Sequence, residues 1–180
     1  SYIRFDDNAC VLLNNAGEGS GSVYDQTLKL DCPAMIPTDA GLIPTGEIRP
    51  ITKGDVFDFS EAKPIGQDID KDDERLVIAA GYDHTVLLPE HDGLYTFAQA
   101  KSEKTGIIMD VATTMPGAQF YSANFLEGKP GKQGHIYNRR DAFCIETQYV
   151  PNAVNCDKFA SPVLKAGQET HTVTTYTFSK

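Results

Sequence analysis

Short runs of apolar, β-branched and aromatic residues recur along the chain, and glycine, proline, asparagine or aspartate residues interrupt them. The 3.6-residue periodicity of amphipathic helices is nearly absent, whereas runs of this length and composition are typical of strands. Many short strands separated by turn residues indicate an antiparallel all-β sandwich or barrel. The runs that predict strands are QTLKL (26–30), RLVIAA (75–80), TVLLP (85–89), LYTFAQA (94–100), TGIIMDVATT (105–114), AQFYSA (118–123), AFCIETQ (142–148) and THTVTTYTFS (170–179).

Three connecting segments carry more specific expectations. The proline-rich stretch from 33 to 66 is predicted to be a long ordered excursion over the surface. The pair Asp92–Gly93 is suited to a hairpin turn. The acidic run DIDKDDER (68–75) has neither the central glycine nor the closing glutamate of a calcium loop. We therefore interpret this run as a solvated stretch of charges.

The size and charge of the chain disfavour several classes of function. Its 180 residues predict a single domain over 1–180, or the C-terminal part of one. The net charge of −9 and the isoelectric point near 4.8 argue against nucleic acid, whose phosphates are neutralised by lysine and arginine. The same charge disfavours an anionic membrane surface, and no apolar run approaches the length of a membrane-spanning helix.

The sequence contains few motifs that would indicate a cellular location or a bound cofactor. The first residues, SYIRFDDNAC, lack the basic-then-apolar pattern of a secretory signal, and the chain has no Asn-x-Ser/Thr acceptor. Both observations predict a cytoplasmic protein. The four cysteines and four histidines are scattered, without the close ligand pairs of a zinc site. The sequence therefore predicts no metal and no other cofactor, and we interpret the cysteines as free buried thiols.

The stretch AFCIETQYVPNAVN (142–155) combines an apolar strand with one carboxylate, Glu146, just before a proline break. Burying an ionised carboxylate without a partner costs on the order of several kcal/mol. Glu146 is therefore either a solvated residue at the end of a strand or a group held in place for chemistry.

Four segments, in order along the chain, together resemble the aldose 1-epimerase (galactose mutarotase) family. They are LIPTGEI (42–48), GYDHTVLL (81–88), TTMPGAQFYSANFL (113–126) and FCIETQYVPNAVN (143–155), and PVLKAGQETHTVTTYTFS (162–179) is similar to the last strands of that family. The resemblance covers about the C-terminal half of the family's domain. It implies an antiparallel β-supersandwich that binds hexoses in an open cleft and interconverts their α and β anomers.

The resemblance also implies roles for individual residues. The glutamate of the ETQ segment is the base that takes the proton from the anomeric hydroxyl, and it corresponds to Glu146. The aspartate of the GYDH segment hydrogen-bonds sugar hydroxyls and corresponds to Asp83, and the glutamine before FY contacts the sugar and corresponds to Gln119. Because successive strand residues point to opposite faces, His84 is predicted to pack away from Asp83.

The acid of that family is a histidine in an Asn-His-Ser/Thr-Tyr segment, and no such segment is complete here. Ser1–Tyr2 align with its last two residues, whereas a competing alignment places LLNNAGEGSGSVYDQ (12–26) there and leaves no histidine. The family's further sugar-binding arginine and histidine also lie in its N-terminal half. The resemblance therefore implies a partner: an N-terminal half supplied as a separate or missing segment. Otherwise the chain is a degenerate homologue that binds sugar without turning it over.

Two other classes of function remain open. A glycoside hydrolase would use Asp83 and Glu146 as its carboxyl pair, separated by about 5–5.5 Å or about 6.5–9.5 Å. A non-catalytic carbohydrate-binding module would keep Asp83 and Gln119 but would not need a base.

Overall fold

The computed structural model describes residues 11–180 and consists mostly of antiparallel strands. The strands are β1 (Thr27–Leu30), β2 (Ala34–Ile36), β3 (Arg49–Pro50), β4 (Lys63–Pro64), β5 (Asp83–Leu87), β6 (Tyr95–Lys101), β7 (Ile108–Thr113), β8 (Gly117–Tyr121), β9 (Lys129–Pro130), β10 (Ile136–Tyr137), β11 (Cys144–Gln148) and β12 (Thr174–Ser179). One α-helix, α1 (Glu74–Ile78), and 3₁₀ turns at Ile65–Gln67, Lys132–Gly134 and Ala153–Asn155 complete the described elements.

The strands form two five-stranded antiparallel sheets and one small hairpin. The β6 sheet has the order β12-β7-β6-β1-β4, and the β8 sheet has the order β11-β8-β5-β2-β3. The hairpin pairs β9 with β10. The prediction of an antiparallel all-β sandwich is confirmed.

The hydrophobic core lies between the two sheets, because apolar residues of both belong to one buried cluster. The β6 sheet contributes Leu28, Leu30, Phe97, Met109 and Val111, and the β8 sheet contributes Met35, Val86, Ala118, Phe120 and Ile145. Burying a large apolar side chain of this kind contributes about 1.5–3 kcal/mol. This core therefore fixes which face of each strand points outward.

The prediction of a strand at RLVIAA is wrong, since residues 74–78 form α1. The carboxylate of Asp73 accepts a hydrogen bond from the backbone N–H of Arg75, so Asp73 is the N-cap of the helix. Leu76 and Ala79, three residues apart, are the buried positions, whereas Val77 is exposed. That spacing is helical. The N-cap Asp73 favours a helix here, although Val77 and Ile78 are β-branched residues that also suit a strand.

The interpretation of DIDKDDER as a solvated stretch of charges is also wrong in part. The Asp68 carboxylate is buried and accepts a hydrogen bond from Lys63 Nζ over 2.6 Å. Arg75 is paired with Asp55 and Asp73, at 3.0 Å and 2.8 Å. These ion pairs fix the segment against the core. No group of three or more His, Cys, Asp or Glu side chains that could hold a metal ion occurs in the described range 11–180.

Two expectations about connecting segments need correction. Asp92–Gly93 lies between β5 and β6, which belong to different sheets, so it joins the sheets and does not close a hairpin. The 33–66 stretch runs over the surface only in part, because Phe57 and Phe59 enter the core. Composition alone did not reveal these two buried rings, which stand among charged residues.

The strands β11 and β12 form edges of the two sheets and lie side by side. The hydroxyl groups of Thr147 and Thr174 are 2.5 Å apart, and the hydroxyl of Tyr176 donates to the carbonyl of Ile145 over 2.7 Å. Within residues 11–180, neither strand has a second neighbour in its sheet.

Thiols and membrane spans were also predicted from the sequence. Cys144 is buried, as predicted, whereas Cys32 and Cys156 are only half-buried, and Cys10 lies outside the described residues. No helix in the part of the chain that the structure describes is long and apolar enough to cross a membrane.

Candidate functional site

Three neighbouring strands of the β8 sheet carry polar side chains on the face that points away from the core. Alternate residues of β5, β8 and β11 belong to the core, so their sequence neighbours point outward. The strand register places Glu146 opposite Gln119 and Gln119 opposite Thr85. Asp83 lies on the same face, two residues before Thr85. The outward face thus holds two carboxylates, an amide and a hydroxyl in one small area.

Hydrogen bonds connect three of these side chains across two strands. The Oγ1 hydroxyl of Thr85 donates to Oε1 of Gln119 over 2.7 Å. The Nε2 group of Gln119 donates to Oδ1 of Asp83 over 2.7 Å. The chain of hydrogen bonds fixes the Gln119 amide and one oxygen of Asp83.

Glu146 differs from its neighbours because its carboxylate has no hydrogen bond or ion pair among the residues 11–180. Its side chain is half-buried in the middle of β11. Burial and, to a smaller extent, the nearby negative charge of Asp83 together raise the pKa of Glu146 to about 6. A carboxylate with a raised pKa and unused lone pairs is suited to accept a proton near neutral pH.

Asp83 is also half-buried, and burial raises its pKa. The hydrogen bond from Gln119 acts in the opposite direction, because it stabilises the ionised form. Asp83 therefore keeps one bonded oxygen and one oxygen that can accept a hydrogen bond from a neutral hydroxyl.

The start of β5 is held in place by a buried arginine. The Nη1 group of Arg140 donates to the carbonyl and the hydroxyl of Ser122, and Nη2 donates to the carbonyl of Ala80. Gly81 has φ +134°, and a Cβ at this position would lie 2.5 Å from the Arg140 guanidinium. Only glycine fits this backbone conformation and this close contact. Asp83, two residues later, takes its position from this turn.

A small apolar cluster covers the other end of the same face. Ile36, Val150 and Ala153 are buried together, and Leu87 and Phe159 pack against them. The chain after β11 turns back over the sheet here, which explains the proline break that follows Glu146. The polar area is thus bounded by an apolar cluster on one side.

The described histidines do not supply an acid beside Glu146. His84 is buried in the core, where its ring lies 4.7 Å from Phe57, so the prediction that it packs away from Asp83 is confirmed. His91 stacks on Tyr95, His135 lies against Gly19, and His171 is exposed. The alternative motif at 12–26 contains no histidine, and Ser1–Tyr2 lie outside the described residues.

The structure brings together the three site residues that the sequence predicted, Glu146, Asp83 and Gln119, on one face of the β8 sheet. Sequence reasoning missed Thr85 and Arg140. The alternation of β5 places Thr85 on the same face as Asp83 and was a usable signal. No pattern in the sequence indicated that Arg140 would be buried.

Comparisons with known proteins cover nearly the whole chain. A family model described as aldose 1-epimerase matches residues 12–177. The galactose mutarotase of Sus scrofa is 37% identical over 167 residues, which are 92% of this chain and 47% of that protein. The aldose 1-epimerase of Escherichia coli (strain K12) is 32% identical over 171 residues, which are 93% of this chain and 49% of that protein. The chain thus spans about half the length of the curated relatives it matches.

Solved structures give the same result for the fold. An aldose epimerase homologue from C. elegans has a TM-score of 0.77 and 29% identity, covering 90% of this chain and 48% of that chain. A galactose 1-epimerase from Lactobacillus acidophilus has a TM-score of 0.67 and 21% identity, covering 88% of this chain and 45% of that one. At that identity the second match shows a shared fold alone.

Proposed function

The chain belongs to the aldose 1-epimerase family, and we propose that it is the part of a mutarotase that carries the general base. This mutarotase interconverts the α and β anomers of hexoses such as galactose and glucose. Residues 1–180 are then the C-terminal part of one β-supersandwich domain. The observation that carries the proposal is Glu146: a half-buried carboxylate, its pKa raised to about 6, beside groups that suit sugar hydroxyls.

In the proposed reaction Glu146 acts as the general base. Its carboxylate takes the proton from the hydroxyl at C1 while an acid protonates the ring oxygen, and the bond between C1 and the ring oxygen breaks. Rotation about the bond between C1 and C2 exposes the other face of the aldehyde. The ring oxygen then attacks C1 and returns its proton to the acid, and Glu146 returns a proton to the new hydroxyl. Such positioned proton transfers contribute about 10²–10⁴-fold.

Asp83 and Gln119 hold the sugar in this proposal. The second oxygen of Asp83 accepts from a sugar hydroxyl, and the remaining N–H of Gln119 donates to a sugar oxygen. The acid is a histidine from outside the described residues, in an N-terminal half of the domain. That half would attach at edges of the two sheets, which are β12 and β4 in one sheet and β11 and β3 in the other. A cytoplasmic location stays a prediction.

The test is polarimetry on freshly dissolved α-galactose and α-glucose. We expect the chain together with the N-terminal half of its domain to accelerate the relaxation of optical rotation above the buffer rate, and the chain without that half to give no acceleration. Sugar binding without acceleration would instead favour a carbohydrate-binding module. Release of sugar from a nitrophenyl glycoside would favour a glycoside hydrolase that uses Asp83 and Glu146.

The pH dependence gives a second prediction. We expect kcat/KM for mutarotation to fall as the pH falls through about 6, because protonated Glu146 cannot accept a proton. In Asp83→Asn the negative charge that helps to raise the pKa of Glu146 is gone, so the acid limb should move to lower pH. The same variant should have a higher KM, since a neutral amide oxygen is a weaker acceptor than a carboxylate.

The matched control is Asp92→Asn, which removes a carboxylate from an exposed loop. It should change neither the position of the acid limb nor the KM. An acid limb that stays in place in Asp83→Asn would show that Asp83 does not influence the titration of the base.

A further inference from the structure

Thr85 occupies a position between the core and the polar face. Its side chain is 2% exposed. Its methyl group would lie 3.7 Å from a Cβ at Gly117, and its hydroxyl donates to Oε1 of Gln119. A β-branched side chain has few χ1 rotamers, so packing of the methyl group toward Gly117 sets the direction of the hydroxyl.

The orientation of the Gln119 amide follows from what its partners can donate and accept. An ionised carboxylate only accepts hydrogen bonds, so the group of Gln119 that faces Asp83 is Nε2. Oε1 then points to Thr85, whose hydroxyl must donate its proton. Without a donor at residue 85, Asp83 still attracts Nε2, but Oε1 loses its partner and the amide is held at one end only.

On the basis of the proposed function, we propose that Thr85 is a positioning residue that sets the substrate specificity of this site by fixing the Gln119 amide. With Thr85 in place, the site presents an N–H donor of Gln119 next to an acceptor oxygen of Asp83. This pair matches two neighbouring hydroxyl groups of a pyranose, one accepting and one donating. A sugar that lacks one of the two hydroxyls leaves one group of the pair without a partner.

The first test needs no sugar. In the chain together with the N-terminal half of its domain, ¹⁵N-labelled glutamine reports the side-chain amide of Gln119 by NMR. We expect its protons to exchange slowly with water in the wild type and in Thr85→Ser, which keeps the hydroxyl. In Thr85→Val, which keeps the shape but loses the donor, the exchange should become fast. Equal exchange in wild type and Thr85→Val would overturn the assignment.

The second test is kinetic. Thr85→Val should raise the KM for galactose about three- to tenfold, the effect of one neutral hydrogen bond. The kcat should stay within about twofold, since Glu146 is unchanged. Thr85→Ser should restore most of the KM. In a Gln119→Leu background, Thr85→Val should have no further effect on the KM, because Thr85 acts through Gln119.

Other outcomes decide against the inference. An increase in KM that persists in the Gln119→Leu background, or an increase of the same size in Thr85→Ser, would show that Thr85 contributes by packing alone. If Thr85→Val does not fold, the difference between Thr85→Ser and Thr85→Ala isolates the hydroxyl, because both variants lack the methyl group. If the wild type gives no mutarotation, the proposed function fails, and the NMR exchange still decides on Thr85 by itself.

Discussion

Glu146→Gln is expected to lower the kcat of mutarotation by roughly 10²–10⁴-fold, the usual contribution of a positioned general base. Glutamine keeps the size of the side chain and its place opposite Gln119, but the neutral amide oxygen takes up protons very poorly. Sugar affinity should change little, because Asp83 and Gln119 remain. The measurement is polarimetry over a range of sugar concentrations, in the chain together with the N-terminal half of its domain.

Stability separates this result from simple damage to the fold. Burial penalises the ionised form of Glu146, as its raised pKa reflects. The variant should therefore unfold at pH 8 at a temperature no lower than the wild type. The matched control is Glu103→Gln, which removes an exposed carboxylate of the β6–β7 turn and should keep full activity. A kcat within threefold of the wild type would remove Glu146 as the base.

Arg75→Met is expected to lower the free energy of unfolding by roughly 3–5 kcal/mol, the usual loss when one partner of a buried ion pair is removed. The guanidinium donates to both oxygens of Asp55 and of Asp73. It also lies 4.8 Å from the centre of the Phe57 ring. The side chain of Arg75 is only 11% exposed, so methionine would leave two carboxylates poorly solvated and without a cation. Urea unfolding followed by circular dichroism measures the loss.

Two further variants test the cause of this loss. Lys101→Met breaks an ion pair with Glu103 in which both side chains are exposed, so the expected change is below about 1 kcal/mol. Adding Asp55→Asn to Arg75→Met should recover part of the stability, because one unpaired charge is removed. A loss of equal size at residues 75 and 101 would contradict the buried-pair explanation.

The pattern of apolar runs was enough to predict the architecture. A strand that buries one face in the core must place apolar residues at alternate positions, so the pattern in the sequence reflects the burial. It failed at residues 75–80, where the N-cap Asp73 produces a helix from residues that also suit a strand. It failed again at Asp92–Gly93, because a turn signal does not say which strands it joins. In both cases the structure depends on residues outside the short segment: on Asp73 for the helix, and on the pairing of β5 and β6 with other strands for the turn.

For the site, the sequence was informative where a residue acts through its position in a strand. Glu146, Asp83 and Gln119 could be placed by their motifs, and register brought them together. Thr85 could have been placed on the same face by alternation, but its hydrogen bond to Gln119 depends on the pairing of β5 with β8. Arg140 could not be predicted, since its partners Ser122 and Ala80 lie 18 and 60 residues away.

The contact between Gly81 and Arg140 has a consequence for how this sequence can change in evolution. Any other residue at position 81 would have an unfavourable backbone conformation, and its Cβ would clash with the Arg140 guanidinium. A shorter residue at 140 would remove the clash, but it would also remove the donors to Ser122 and Ala80 that hold the turn before Asp83. Replacing Arg140 would not relieve the backbone strain at residue 81, so we expect descendants of this protein to retain both residues.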